Sequence, residues 1–171
     1  MQGTRRKTPA AGPGPEAVTV SSDTIVLESL DDAMRPVLYL DIVGTIVLQD
    51  GSTFRLAAFS RDFVNAIKNR FKVVFLTSLS ESTAANIATV LGLEATYGIY
   101  RRGLGKVSGI DFANPFLWVD DAPNSRDLMR LAEERCSGRL LTVNSKEGVT
   151  RATLKKLEVC LEALGNDQAQ D

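Results

Sequence analysis

The chain has 171 residues, of which 44% are hydrophobic, enough to build the core of one domain of ordinary size. Twenty Lys and Arg residues against 21 Asp and Glu residues give a net charge of -1, which excludes a global field that draws the molecule onto nucleic acid or anionic membrane. The absence of histidine excludes Ser-His-Asp and Cys-His triads and histidine metal sites, so any metal is expected to have oxygen ligands.

The remaining composition points to a cytoplasmic protein with tails around one domain. Cys136 and Cys160 are too few for a disulfide framework or a zinc site, and we expect two reduced thiols. No apolar run approaches the roughly 20 residues of a membrane span. Residues 1–34, which begin with a basic and Pro/Gly-rich stretch without the apolar core of a signal peptide, are predicted to be a mostly disordered tail. The folded domain is predicted at 35–165, followed by a disordered tail at 166–171.

Short apolar runs alternate with helical patterns along the domain. The predicted strands, in chain order, lie at residues 37–42, 72–76, 96–99, 116–119 and 139–143. A small β-hairpin is predicted at 46–56, where Asp50-Gly51 is a turn signal. The predicted helices lie at residues 60–70, 81–91, 125–135 and 150–165.

This alternation predicts an α/β fold with a mainly parallel, Rossmann-like sheet in three layers, with helices on both faces. The hairpin forms a flap after the first strand, and the spacing leaves no room for a cap domain. Four details specify the helices: Ser60 is predicted as an N-cap, Gly92 and Gly165 as helix ends, and Leu128 as an inward-facing residue.

Polar side chains follow three of the predicted parallel strands. Asp41 ends the first, Thr77 and Ser78 follow the second, and Asp120 and Asp121 end the strand FLWVDD. Because the carboxyl ends of parallel strands lie at one edge of the sheet, where ligands bind in such folds, we expect these residues to converge. Taken singly, each has an ordinary explanation, such as a helix or turn cap.

The convergence predicts phosphoryl chemistry. Three carboxylates at one edge repel each other unless a cation joins them, and a hard divalent ion such as Mg²⁺ meets that need. A hydroxyl such as that of Thr77 can bind a phosphate oxygen, and Lys106, in a glycine-marked loop, can supply further positive charge. Gly44 lets backbone amides approach an anion, and Asp41 can then act as a nucleophile.

Four stretches resemble the motifs of the haloacid-dehalogenase-like (HAD-like) superfamily across residues 36–164. LYLDIVGTI, with Asp41, Gly44 and Thr45, resembles the first motif, in which a strand is followed by Asp-x-Asp-Gly-Thr. VVFLTS, with Thr77, resembles the second. Lys106 occupies the place of the third, and LWVDDAP resembles the fourth.

The resemblance implies a role for each matched residue. Asp41 would be the nucleophile, with Thr77 and Lys106 as catalytic partners that contact the phosphate, joined by Gly44, Thr45 and Ser78. Magnesium would be held by the side chains of Asp41, Asp120 and Asp121 and by the backbone carbonyl of Val43. Arg101 or Arg102 is an alternative to Lys106 in its role.

The first motif is degenerate, because Val43 stands where the family has its second aspartate. In the family's phosphatases that acid protonates the leaving group and then activates water, a contribution of roughly 10²–10⁴-fold. Two functions follow. The first is a magnesium-dependent hydrolase with impaired acid–base catalysis, and the second is a catalytically inactive module that binds a phosphorylated ligand or a protein partner. An uncapped site suits a large or protein-borne substrate.

Two other assignments are disfavoured. A response-regulator receiver domain uses similar residues, but there the double acid comes first and the lysine last. A phosphate-binding P-loop would place a lysine where Leu104 stands after Gly98 and Gly103. With 6% aromatic residues, the chain also lacks the aromatic and basic stripe of a nucleic-acid-binding surface. The expected ligand is a phosphorylated small molecule or macromolecule.

Overall fold

The structure, a computed structural model, describes residues 35–168. The predicted tail at 1–34 and residues 169–171 lie outside this range. The strands are β1 Val37–Leu40, β2 Val47–Asp50, β3 Thr53–Leu56, β4 Lys72–Phe75, β5 Ala95–Tyr97, β6 Phe116–Asp120 and β7 Leu140–Thr142. The helices are α1 Ser60–Ile67, α2 Glu81–Leu91, α3 Ser125–Glu133 and α4 Arg151–Gln168, and short 3-10 turns lie at Arg102–Leu104, Lys106–Gly109 and Ser137–Arg139.

Five strands form one parallel sheet in the order β5-β4-β1-β6-β7. Strands β2 and β3 form a separate antiparallel hairpin directly after β1. The predicted Rossmann-like sheet and the hairpin flap are therefore confirmed. Between β1 and β4 the chain holds only the hairpin and α1, so no cap domain is inserted there.

The two faces of the sheet bury different side chains, because successive residues of a strand point to opposite sides. Leu38 and Leu40 of β1 belong to a large cluster that includes residues of α1, α2 and α4. Tyr39 belongs to a smaller cluster with Trp118 of β6 and Leu131 of α3. Helices thus cover both faces, as the sequence predicts.

Three details differ from the predictions. Ser60 is not the N-cap of α1. It is the first helical residue, and its hydroxyl donates to the Ile46 carbonyl at 2.6 Å, tying the helix to the start of the flap. Gly165 does not end α4, which continues to Gln168, because Gly165 does not adopt the positive φ of a helix-terminating glycine. Leu128 is 49% exposed, whereas Leu131 fills the core position.

None of the helices within residues 35–168 is long and apolar enough to cross a membrane. Cys136 and Cys160 are both free thiols, as predicted, the first buried and the second half-buried.

Candidate active site

The ends of β1 and β6 bring two carboxylates side by side. Asp41 directly follows β1, and its N–H donates to the Val119 carbonyl at 3.0 Å, which continues the parallel pairing of the two strands by one residue. Asp120 is the last residue of β6, and it is completely buried. Together with Asp121, these residues offer carboxylate oxygens that all lie within 4.8 Å of one another. The predicted convergence of the three acids is present.

Gly44 makes room for Asp121. Gly44 has a φ of +83°, a conformation that favours glycine, and a Cβ placed there would overlap the Asp121 carboxylate. This steric relation gives Gly44 a structural purpose that differs from the predicted one of freeing backbone amides. The turn after β1 and the end of β6 are thereby fitted to each other.

Lys106 bridges two of the acids. Its Nζ lies 2.9 Å from Asp41 Oδ1 and 2.7 Å from Asp120 Oδ2, and its side chain is 17% exposed. The side chain therefore sits inside the carboxylate cluster, at the place that the resemblance gives to the third motif. Arg101 and Arg102 are exposed and make no ion pair within residues 35–168, so the structure gives no reason to substitute either for Lys106.

Asp127, which the sequence analysis missed, holds the Lys106 loop in place. Its buried carboxylate accepts from the N–H of Val107 and from the N–H of Asn124, each at 2.9 Å. Asn124 in turn accepts from the N–H of Asp127, which completes a capping box at the start of α3. The pattern Asn-x-x-Asp is a cap signal that the sequence shows. The contact of Asp127 with the Lys106 loop depends on the tertiary structure and leaves no such signal. Because Asn124 caps the helix, neither Asp120 nor Asp121 is needed for that purpose.

The cluster has strong electrostatic coupling. Burial raises the pKa of Asp41 to about 7, the charge of Lys106 opposes this rise, and the charge of Asp120 adds to it. Burial also raises the pKa of Asp120, again against the influence of Lys106. Burial alone would lower the pKa of Lys106, but the neighbouring charges of Asp41 and Asp120 raise it above its ordinary value. Lys106 is therefore protonated, and its single positive charge does not balance the negative charge of the acids around it.

The donor set fits a hard divalent cation. When all three acids are ionised, one ammonium leaves two negative charges uncompensated, and the oxygens of Asp41, Asp120 and Asp121 lie close enough to share one ion. A metal bound there would offset the burial that raises the pKa of Asp41. The Val43 carbonyl as an additional ligand stays a prediction.

Thr77 and Ser78 lie on the neighbouring strand end. The N–H of Leu76 donates to the Leu40 carbonyl at 3.0 Å, so Thr77 lies one residue beyond the position opposite Asp41. Thr77 is buried and its hydroxyl accepts from the N–H of Leu79 at 3.4 Å, whereas Ser78 is exposed. Both line a cavity of about 120 Å³ that Arg102 also borders. Their placement at the shared edge agrees with the prediction, and their contacts with phosphate stay predictions.

The backbone amides after Asp41 already have acceptors. The N–H of Gly44 donates to the Val47 carbonyl at 2.7 Å, and that of Thr45 donates to the Ile42 carbonyl at 3.3 Å. The Thr45 hydroxyl is buried without a hydrogen-bond partner. Phosphate binding at Gly44 and Thr45 stays a prediction. For these two N–H groups to bind a phosphate, they must first release the Val47 and Ile42 carbonyls.

Val43 is an apolar part of this turn. Its side chain is half-buried and packs against the large core cluster, and the residue bridges to Val47 at the start of the flap. Val43 also lines a cleft of about 380 Å³ that Gly44 and Asp121 border. The position that carries the proton donor in the family's phosphatases thus offers none here.

No family model matches the sequence, and no curated protein is significantly similar to it.

Several solved structures are similar in fold. A hypothetical protein from Xanthomonas campestris matches with 15% identity, 93% of this chain, 98% of that chain and a TM-score of 0.47. A protein described as a 3-deoxy-D-manno-octulosonate 8-phosphate phosphatase from Vibrio cholerae matches with 13% identity, 82% and 90% of the two chains and a TM-score of 0.46. A protein described as a HAD family hydrolase from Streptomyces avermitilis matches with 19% identity, 74% and 90% of the two chains and a TM-score of 0.43.

Proposed function

We propose that the protein is a HAD-like hydrolase that removes phosphoryl groups through an aspartyl-phosphate on Asp41, with impaired acid–base catalysis. The observation that carries the proposal is the ion-paired cluster itself. Lys106 contacts Asp41 and Asp120 at 2.9 and 2.7 Å, and Asp121 completes the set of acids. A purely structural cluster has no need to bury two acids against one lysine, with a third acid beside them, at the ligand-binding edge of a sheet.

Each group of the cluster has a chemical task in this proposal. The Asp41 carboxylate attacks the phosphorus, and the ammonium of Lys106 orients that carboxylate and attracts the phosphoryl oxygens. Thr77 donates its hydroxyl to one of these oxygens, beside Ser78. Magnesium, held by Asp41, Asp120 and Asp121, would supply further positive charge to the phosphoryl group.

Val43 determines which substrates can be turned over. Without an acid at this position, the leaving group departs unprotonated, and catalysis loses roughly 10²–10⁴-fold for a poor leaving group. The proposal therefore includes a substrate whose leaving group is a weak base, on a phosphorylated small molecule or macromolecule admitted by the uncapped site. We place the reaction in the cytoplasm.

The experiment compares Val43→Asp, Asp41→Asn and the wild type on p-nitrophenyl phosphate with magnesium present. Val43→Asp is expected to raise kcat by about 10²-fold, because it adds the base that activates water against the aspartyl-phosphate, whereas the p-nitrophenolate leaving group needs no proton. Asp41→Asn is expected to remove hydrolysis in both backgrounds. If the wild type and Val43→Asp both match a buffer blank, the hydrolase proposal fails.

A second candidate is a catalytically inactive module that binds a phosphorylated ligand or a protein partner. Two observations favour it: Val43 replaces an acid, and the N–H groups of Gly44 and Thr45 are used within the turn. In that case Asp41→Asn would change the binding of inorganic phosphate measured by calorimetry, while Val43→Asp would produce no turnover.

A further inference from the structure

A cleft opens beside the carboxylate cluster, on the side of the flap. Its volume is about 380 Å³. We call it the flap cleft and define it by its lining residues, which are Val43, Gly44, Leu48, Gln49, Asp50, Arg55, Asp121, Ser145 and Lys146. Because Asp121 belongs both to this lining and to the carboxylate cluster, the cleft begins where the phosphoryl site ends. A group attached to a phosphoryl group at Asp41 can extend into it.

Two cations line the flap cleft. Arg55 comes from β3, and Lys146 comes from the loop between β7 and α4. Within residues 35–168 neither side chain makes an ion pair or a hydrogen bond, although Asp50 lines the same cleft. A single unpaired cation on a surface is common, but two from separate parts of the chain that line one cleft beside a phosphoryl site provide a place for an anion.

Val43 lines the same cleft, at the position where a leaving group would need its proton. An alkoxide leaving group would be strongly disfavoured there. A phosphate leaving group that keeps one of its other oxygens esterified or protonated needs no further proton at neutral pH, since its second ionisation lies near pKa 6. It also carries negative charge that can pair with Arg55 and Lys146. The missing acid at Val43 and the two cations, which have no ion-pair partner among the described residues, therefore both favour a phosphate as the leaving group.

Resting on the proposed hydrolase function, we infer that the substrate is a phosphoanhydride. Its terminal phosphoryl group lies at Asp41, and the adjacent phosphate lies in the flap cleft between Arg55 and Lys146. In the first step the Asp41 carboxylate forms a bond to the terminal phosphorus. The bond from that phosphorus to the bridging oxygen breaks, and its electron pair stays on the departing phosphate.

The second step regenerates the enzyme. Water attacks the phosphorus of the aspartyl-phosphate, the bond to the Asp41 oxygen breaks, and the electron pair returns to the carboxylate. One proton of the water remains on the inorganic phosphate, and the other passes to solvent. No redox partner is needed.

The first experiment measures kcat/KM of the full chain with magnesium on inorganic pyrophosphate, acetyl phosphate and glycerol phosphate. Pyrophosphate is expected to exceed glycerol phosphate by at least about 100-fold, because its leaving group needs no proton. It is also expected to exceed acetyl phosphate, whose leaving group is a weak base but does not offer the polyanion that the two cations bind. Equal rates for pyrophosphate and glycerol phosphate, or a preference for acetyl phosphate, would overturn the inference.

The second experiment removes the cations. The double variant Arg55→Ala/Lys146→Ala is expected to lose on the order of 100-fold in kcat/KM for pyrophosphate, since two charge-assisted contacts disappear. Its loss for p-nitrophenyl phosphate should be at least tenfold smaller. The matched control Lys155→Ala/Lys156→Ala removes the same net charge from the exposed part of α4 and should stay within about twofold of wild type. Equal losses in both double variants would attribute the effect to net charge and overturn the inference.

A binding measurement separates this inference from the proposed function. In the Asp41→Asn background, calorimetry with pyrophosphate should show an affinity at least tenfold weaker when Arg55 and Lys146 are also replaced by Gln, which keeps the side chains polar. One outcome is that p-nitrophenyl phosphate is hydrolysed through Asp41 but pyrophosphate is neither preferred nor bound through the two cations. In that case the phosphoanhydride inference is overturned and the proposed hydrolase function stands. If no substrate is turned over by the wild type or by Val43→Asp, both proposals fall.

Discussion

The two sides of the candidate site are built on opposite principles. On the phosphoryl side, Asp41 and Asp120 are buried, and both pair with Lys106, whose side chain is only partly exposed. On the flap side, Arg55 and Lys146 are exposed and have no bonded partner among the described residues. Pairing within the protein thus fixes the groups of the first side, whereas the second side leaves two cations without an ion-pair partner among the described residues.

The difference follows from the cost of burying charge. A buried ion must be paired and hydrogen-bonded within the protein, so the geometry of the phosphoryl side is fixed by folding. An exposed cation keeps its hydration and tolerates the absence of a partner. Substitutions on the first side should therefore lower the free energy of unfolding, and substitutions on the second should change only ligand binding.

The largest effect is expected for Lys106→Met. Removing the ammonium leaves two buried acids without their counter-ion, and breaking a buried pair in this way costs about 3–5 kcal/mol. Urea unfolding without magnesium measures the loss, with Lys156→Met on the exposed part of α4 as the control. A loss below about 1 kcal/mol would show that the pairing of Lys106 does not support the fold.

A smaller loss is expected for Gly44→Ala. The positive φ costs about 1–2 kcal/mol, and displacing the partly exposed Asp121 carboxylate adds a packing penalty of about 1 kcal/mol. Gly51→Ala is the matched control, because Gly51 has a φ of +58° but nothing within 4 Å of an added Cβ. Equal losses in the two variants, again by urea unfolding, would mean that Asp121 does not fit closely against Gly44.

Asp127→Ala should cost about 1–3 kcal/mol, because the N–H groups of Val107 and Asn124 lose their acceptor. The same variant should lower phosphoryl turnover, since the loop that carries Lys106 is no longer fastened to α3. Asp62→Ala, which removes the corresponding acid from the first turn of α1, controls for the effect of charge at a helix start. If Asp127→Ala turns over substrate as fast as the wild type, the contact between Asp127 and the Lys106 loop is not needed for catalysis.

The smallest change in stability is expected for Arg55→Ala/Lys146→Ala, within about 0.5 kcal/mol of wild type. Both side chains are exposed and make no ion pair within residues 35–168, so the folded state loses little when they are removed. A thermal melt compared with that of the wild type tests this. A clear destabilisation would mean that the two cations serve the flap itself and would remove the contrast between the two sides.

The sequence predicted the elements better than their ends. The period of the apolar residues gave all five strands of the sheet, the hairpin and four helices, because burial of a regular face is a local signal. It misplaced Ser60 and the end of the last helix for reasons that are not local. The Ser60 hydroxyl donates to the Ile46 carbonyl, 14 residues away, instead of capping the helix. Gly165 lies within a helix whose apolar face, with Leu157 and Leu164, is buried, so the helix continues past it.

What the sequence alone determined is the set of groups at the carboxyl edge, because parallel strands force Asp41, Thr77 and Asp120 to one side of the sheet. What only the tertiary structure decided is how loops distant in sequence complete that edge. Asp127 holds the Lys106 loop through a hydrogen bond, Gly44 leaves space for Asp121, and Arg55 and Lys146 line the same cleft although they come from separate segments. The physical reason is that such contacts depend on loop conformation and on packing between segments far apart in the chain, neither of which leaves a periodic trace in the sequence.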